Sequence, residues 1–171
     1  TADLGEVRQA VRQHGQRSAE KLRSQRGLCR AVYVFIQTNR FRQDLPQYSR
    51  SAVVELSRPT ADSRDILHAA ERALQAIYRP HYLYAKAGVM LLDLIDADRQ
   101  QLSLLDSPQS EADRRRGEQL MATLDELNKR MGRDTVTLGR PSPGSAWQLR
   151  CARRSNRWTT RWDELPKARS G

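Results

Sequence analysis

The chain has 171 residues, a net charge of +10 from 30 Lys+Arg against 20 Asp+Glu, and 38% hydrophobic residues. That is the length of one domain plus an appendage, apolar enough to fold but low for a compact globule. No apolar run approaches the ~20 residues of a membrane span, no leader with a cleavage site is visible, and Cys29 and Cys151 fit neither a disulfide framework nor a structural zinc site. The first residue is Thr1, so a piece of a longer protein is expected, in a reducing compartment.

Residues 4–26 have helical spacing, with Leu4, Val7, Val11 and Leu22 near one face, Ala19 alongside, Gly15 interrupting and Gly27 as the expected stop. From Cys29 to Thr38 the period becomes two: Val32, Val34 and Ile36 alternate with Tyr33, Phe35 and Gln37, a strand. A polar connection containing Pro46 follows over Asn39–Ser49, then a second strand over Ser51–Leu56. Pro59-Thr60-Ala61-Asp62 is a helix start, and Ile66, Ala70, Ala73, Leu74 and Ile77 keep helical spacing until Pro80. Tyr84–Leu94 is a third strand, apolar on both faces and therefore expected to be covered on each side. The order α-β-β-α-β predicts an α+β layer, two helices packed on one face of a small mixed β-sheet.

Ile95–Gln109 turns acidic and irregular, a linker. Ser110-Glu111-Ala112-Asp113 resembles a capping box opening a helix to about Met131, with Leu120, Leu124, Leu127 and Met131 on a stripe that needs a packing partner. Thr135–Leu138 is a short strand candidate before a Pro/Gly loop. The expected division is residues 1–94, a linker over 95–110, and a small basic domain over 111–171.

Residues 1–60 carry a net +6, residues 61–110 a net −2 and residues 111–171 a net +6, so two basic regions flank an acidic middle, as a polyanion partner would require. Thr135–Trp162 holds no acid, six arginines and all three tryptophans. Such a segment either binds phosphates and stacks bases or anchors a tail onto its own domain. Asp93, Asp96 and Asp98 have a spacing that suits Mg²⁺ or simply solvates a linker. His14, His68 and His81 have no partners at ligand spacing, and no nucleophile elbow, Walker loop or Gly-rich fingerprint is present. The chain is not expected to be an enzyme and needs no cofactor. Gln101-Leu102-Ser103-Leu104-Leu105-Asp106 suits an extended peptide docking in an apolar cleft, or a few leucines pinning the linker to its own domain.

Several stretches together resemble the C-terminal part of the UmuC-type (ImpB/MucB/SamB) family of Y-family translesion DNA polymerases, which act in the bacterial SOS response to DNA damage. They are Ala19-Glu-Lys-Leu-Arg23, Val34-Phe-Ile-Gln-Thr-Asn39, Pro46-Gln-Tyr-Ser49, Pro59-Thr60, Ser63-Arg-Asp65, Tyr84-Ala-Lys-Ala-Gly-Val-Met-Leu91, Gln101-Leu-Ser-Leu104, Leu120-Met121 with Leu124-Asp125, and Thr159-Thr-Arg-Trp162. The resemblance implies that residues 1–94 form a little finger, the module that grips duplex DNA. The family's little finger is β-α-β-β-α-β, so the resemblance implies that its first strand is missing from these 171 residues. It implies the same of the palm, with its catalytic carboxylates and Mg²⁺, and no nucleotidyl transfer is expected of this chain.

The resemblance places sequence-independent phosphate contacts at Thr38, Asn39, Ser49, Arg50, Ser51, Lys86 and Gly88, the glycine admitting close approach of backbone and phosphate. It makes Gln101, Leu102, Ser103, Leu104 and Leu105 a β sliding-clamp-binding motif, departing from the family at Leu105, where Phe is usual. It also implies UmuD′ and RecA as partners, no membrane, and a cytoplasmic, nucleoid-associated location. Two other readings stay open: an interaction or regulatory fragment that binds UmuD′ or RecA instead of DNA, and an RNA-binding module using the Tyr33/Phe35 face.

Overall fold

The computed structural model describes residues 1–97, 108–132 and 135–139. Helix α1 (Leu4–Ser24) begins where the Asp3 carboxylate accepts a hydrogen bond from the Glu6 N–H at 3.0 Å, and it buries Val7, Ala10, Val11, Gly15, Ala19 and Leu22. It stops before the sequence expectation. The left-handed residue that turns the chain is Arg26 (φ 53°), and Gly27, expected to end the helix, already opens strand β1.

Strand β1 (Gly27–Thr38) is central, with β2 (Ser49–Thr60) on one side and β3 (Tyr84–Leu92) on the other. Val32, Val34 and Ile36 are buried beneath α1 and α2 (Ser63–Ile77), together with Val11, Ala19, Ile66, Ala70 and Leu74. Two helices therefore cover one face of an α+β layer, as the element order predicts. The sheet is antiparallel and not mixed, because the crossover through α2 returns β3 to the far side of β1.

Other strand boundaries also differ from the sequence reading. β2 is longer, since its pairing with β1 begins at Ser49 and resumes at Thr60 beyond an irregularity near Cys29 and Ala31. β3 ends at Leu92, where Asp93 takes φ 51°. Ile95–Asp96, the expected start of the linker, forms a short β4 paired with Leu28 and Gly27. β3 is also covered on one face only: Ala87, Val89 and Leu91 pack on the core, while Met90 is 50% exposed. Both helices lie on the same side, so among the described residues no helix shields the other face. On its outer edge β3 meets Thr1, which exchanges two backbone hydrogen bonds with Tyr84 at 2.7 and 2.8 Å, the pattern of an antiparallel ladder.

Helix α3 (Pro108–Met131) only partly docks on the expected stripe, of which Leu124 and Leu127 are half-buried. Met121 is 2% exposed and Gly117 is buried, whereas Leu120 and Met131 are 42% and 68% exposed. Arg23 selects this face. Its guanidinium grips both Asp125 oxygens at 2.6 and 2.7 Å and donates to the Ala61 carbonyl and the Ser63 hydroxyl, each at 2.8 Å. Gly117 faces Arg64 and Asp62, whose side-chain ends would lie 2.9 and 3.0 Å from a Cβ at this position and would have to shift for one. Thr135–Leu138, the strand candidate, is a turn. Asn128 holds it by accepting from the Val136 N–H and donating to the Val136 carbonyl, at 2.8 and 2.9 Å. No described helix is long and apolar enough to cross a membrane.

Arg23→Ala would strip Asp125, Ala61 and Ser63 of their donor at once, and leaving such partly exposed groups unpaired costs about 1–3 kcal/mol. The expected readout is faster amide hydrogen exchange along α3, with β1 still protected; unchanged exchange in α3 would show that Arg23 does not hold it.

A second prediction concerns the Asp62 cap of α2, which accepts from the Arg64 N–H at 2.8 Å. Partial burial pushes the Asp62 carboxyl up, but hydrogen bonds and charge from Arg64, with Arg23 nearby, hold it below its ordinary value of 3.8. The unfolded chain therefore binds this proton more readily. The stability Asp62 supplies is complete above the ordinary value and is lost as pH falls through the depressed one. Asp62→Asn keeps a good cap and should flatten the melting-temperature profile between about pH 2 and about pH 5.

Candidate nucleic-acid interface

With Val32, Val34 and Ile36 turned toward the helices, period two sends Tyr33, Phe35 and Gln37 to the uncovered face. Cross-strand partners share a face, so the register writes out that surface in rows. Gln37 lies between Ser49 and Lys86, and Phe35 between Ser51 and Gly88. Tyr33 lies between Val53 and Met90, and Ala31 between Glu55 and Leu92. The rows nearest the β1–β2 connection thus carry hydroxyls, an amide and a lysine, and the farther rows are largely apolar.

Four of the seven residues named for DNA contact, Ser49, Ser51, Lys86 and Gly88, come together here. The other three do not join them. Arg50 pairs with Ile36 and so belongs to the helix-side face, exposed at the edge of β2. Thr38 is buried, its hydroxyl donating to Gln47 Oε1 at 2.9 Å and accepting from the Tyr48 N–H at 3.0 Å. Asn39 is exposed in the connection, where its Oδ1 accepts from the Phe41 N–H at 3.0 Å. All seven still gather at one end of the sheet.

At Gly88 the space left by the missing side chain is filled by Phe35: a Cβ built there would lie 2.6 Å from Phe35 Cζ. The glycine receives an aromatic ring from the adjacent strand, and the ladder passes Phe35–Gly88 without a bulge.

This end is fastened from beneath by tyrosines. Tyr48 donates to the Ile77 carbonyl at 2.7 Å, while Tyr84 donates to the Arg79 carbonyl at 2.7 Å and accepts from the Arg79 N–H at 3.0 Å. Tyr48 stacks obliquely on Tyr82 at 4.7 Å, and the Arg79 guanidinium lies 5.7 Å from the Tyr48 ring centroid. Burial pushes the Tyr84 hydroxyl above its usual range.

Arg40, Arg50 and Lys86 have no ion-pair partner among the described residues, and Asp44, an acid of the connection, is held by Arg42 through bonds of 2.7 and 2.8 Å. The excess charge at this end is positive. Phe41, 94% exposed between Arg40 and Arg42, was missed in the sequence; its signal was an aromatic flanked by arginines in a polar connection.

Elsewhere, a groove of about 890 Å³ separates α3 from the body, its lining alternating cations (Arg26, Arg58, Lys129) with acids (Glu20, Asp65, Asp113). Among the described residues no group of three His, Cys, Asp or Glu could hold a metal. Burial pushes the Cys29 thiol up to about 11, and burial with the charge of Arg17 lowers His14. The peptide Gln101–Leu105, Asp98, and the Arg/Trp segment from Arg140 onward lie outside the described residues.

Fold and surface together define a two-layer α+β module with one open, partly cationic sheet face. Residues 1–104 match the impB/mucB/samB family C-terminal domain, and residues 118–168 match a domain of unknown function, DUF4113. The chain is 43% identical over 169 residues to Protein ImpB of Salmonella typhimurium, 41% over 163 residues to its Protein SamB, and 39% over 163 residues to its Protein UmuC. These matches take in 95–99% of this chain but only 38–39% of each relative, so the chain spans under half their length. It belongs to the impB/mucB/samB family.

Gly88→Ala should force the Phe35 ring aside, an overpacking cost of about 1–3 kcal/mol in urea denaturation. Adding Phe35→Ala should recover part of it; strictly additive losses would mean that the two residues do not interact.

Proposed function

We propose that this chain is the DNA-holding and partner-docking portion of a translesion DNA polymerase. The open sheet face lies along the duplex, where Ser49, Ser51, Gln37 and Lys86 meet phosphates without reading sequence, as a polymerase working on any template requires. Arg40, Asn39 and Arg50 add contacts at the rim, and Thr38 contributes only by ordering the connection. Nucleotidyl transfer belongs to the part of the relatives that this chain does not span. The observation that carries the proposal is the register: it lines hydroxyls, an amide and a lysine across three strands on a face that no described helix covers, in a chain of the impB/mucB/samB family.

Fluorescence anisotropy with primer–template DNA should show binding that is indifferent to sequence and falls with salt, by roughly fortyfold between about 50 and about 200 mM if three phosphates are neutralised. Lys86→Glu should lower the salt slope by about one or more and weaken binding more than Arg50→Glu, which leaves the open face intact. Equal losses would place the contact at the edge of β2, and no loss in either variant would rule out this surface.

The linker peptide is assigned to a β sliding clamp. Gln101 orients it, and Leu102, Leu104 and Leu105 supply apolar burial of about 1.5–3 kcal/mol each when fully enclosed. Changing Gln101, Leu102 and Leu104 to Ala should abolish clamp capture on beads while DNA affinity is retained. Capture of UmuD′ or RecA with no DNA binding at low salt would instead support a purely interacting fragment.

A further inference from the structure

The connection between β1 and β2 is polar and built to hold its shape. The Phe41 N–H donates to Asn39 Oδ1 at 3.0 Å, the Arg42 N–H to the Asn39 carbonyl at 3.1 Å, and the Leu45 N–H to the Arg42 carbonyl at 3.2 Å. Gln47 Nε2 donates to the Arg42 and Leu45 carbonyls at 2.7 and 3.0 Å, while its oxygen accepts from Thr38. The Arg42–Asp44 fork closes one side. What this framework presents is Phe41, 94% exposed. A lone apolar side chain on a surface is common. Here, though, the backbone beneath the ring is fixed, Pro46 and Tyr48 are close in sequence, and still the ring does not fold down. Ordering cost has already been met in the free protein.

We propose that Phe41 is a base-stacking side chain that lies against the exposed face of an unpaired nucleobase next to the duplex. This inference rests on the DNA-holding function proposed above. Three features favour a nucleobase over an apolar protein pocket. Arg40, Arg50 and Lys86 surround this end without carboxylate partners among the described residues, which suits phosphates on either side of a stacked base. The Asp44 carboxylate is neutralised by Arg42, which removes a repulsive charge beside the tip. The rows of hydroxyl, amide and lysine on the open face begin at this same end, so a duplex held there brings its end or junction toward Phe41. Every base has a π-face, and such a contact stays blind to sequence.

The test uses the full chain and two DNAs: a primer–template with an unpaired template overhang, and a duplex of the same sequence closed at both ends by hairpin loops of non-nucleoside spacers. The expected result is that Phe41→Ala weakens binding to the overhang DNA by about fivefold to a hundredfold, while affinity for the closed duplex stays within about twofold. Phe41→Trp should retain overhang binding. 2-Aminopurine at the first unpaired template position should be quenched by the wild-type and Trp chains and not by the Ala chain. An unchanged melting temperature for Phe41→Ala is expected, since the ring is 94% exposed. Equal affinity of wild type and Phe41→Ala for the overhang DNA, with the same 2-aminopurine quenching, overturns the inference while leaving DNA holding intact; loss of sliding-clamp capture by Phe41→Ala alongside that result would assign the ring to a protein pocket. A wild-type chain that binds neither DNA overturns both.

Discussion

Burial of Val32, Val34 and Ile36 beneath α1 and α2 decides where everything else on the sheet goes. A strand has only two faces, so committing these three residues to the core commits Tyr33, Phe35 and Gln37 to the other side. Because β1 is central, its choice propagates through two registers into β2 and β3. A one-residue slip against β2 would turn Ser49 and Ser51 inward and bring Arg50 out onto the open face. The surface chemistry is in this sense a by-product of core packing, and its accuracy is that of the ladder.

The alternation in β1 was legible in the sequence because period two needs no partner to be seen, and the two helices followed from their spacing, α2 also from its start signal at Asp62. What was not legible had a nonlocal cause. Arg50 was grouped with Ser49 and Ser51 by resemblance, and only the register with Ile36 turns its side chain to the opposite face from theirs. Thr38 has the same parity as Ile36, but at a strand end its inward turn depends on Gln47 and Tyr48, supplied by the far side of the connection. Gly88 needed the register with Phe35. For α3 the leucine stripe was the strongest local signal and held only in part, because Arg23 and Asp125, about a hundred residues apart, set the docking face and no helical wheel contains that pair.

Order at the connection end comes from two sources that reinforce each other. Above, backbone and amide hydrogen bonds shape residues 39–48. Below, Tyr48, Tyr82 and Tyr84 tie that segment to the end of α2 and the start of β3, with Arg79 over the Tyr48 ring. Each phenol with a hydrogen-bonded oxygen contributes burial and a directional bond together, so a short cluster fixes two loops that are remote in sequence. A surface that meets a ligand through side chains at loop ends gains from this, since little further ordering is required on contact.

Two attachments bring β4 and α3 to the same α/β body. On one side the Ala97 N–H is bonded to the Arg26 carbonyl at 2.9 Å beside β4, and on the other α3 begins at Pro108 and is clasped to α1 through Arg23. A pull on α3 would therefore reach α1 and the sheet through a single guanidinium, and the helix would peel from the body once that contact gave way.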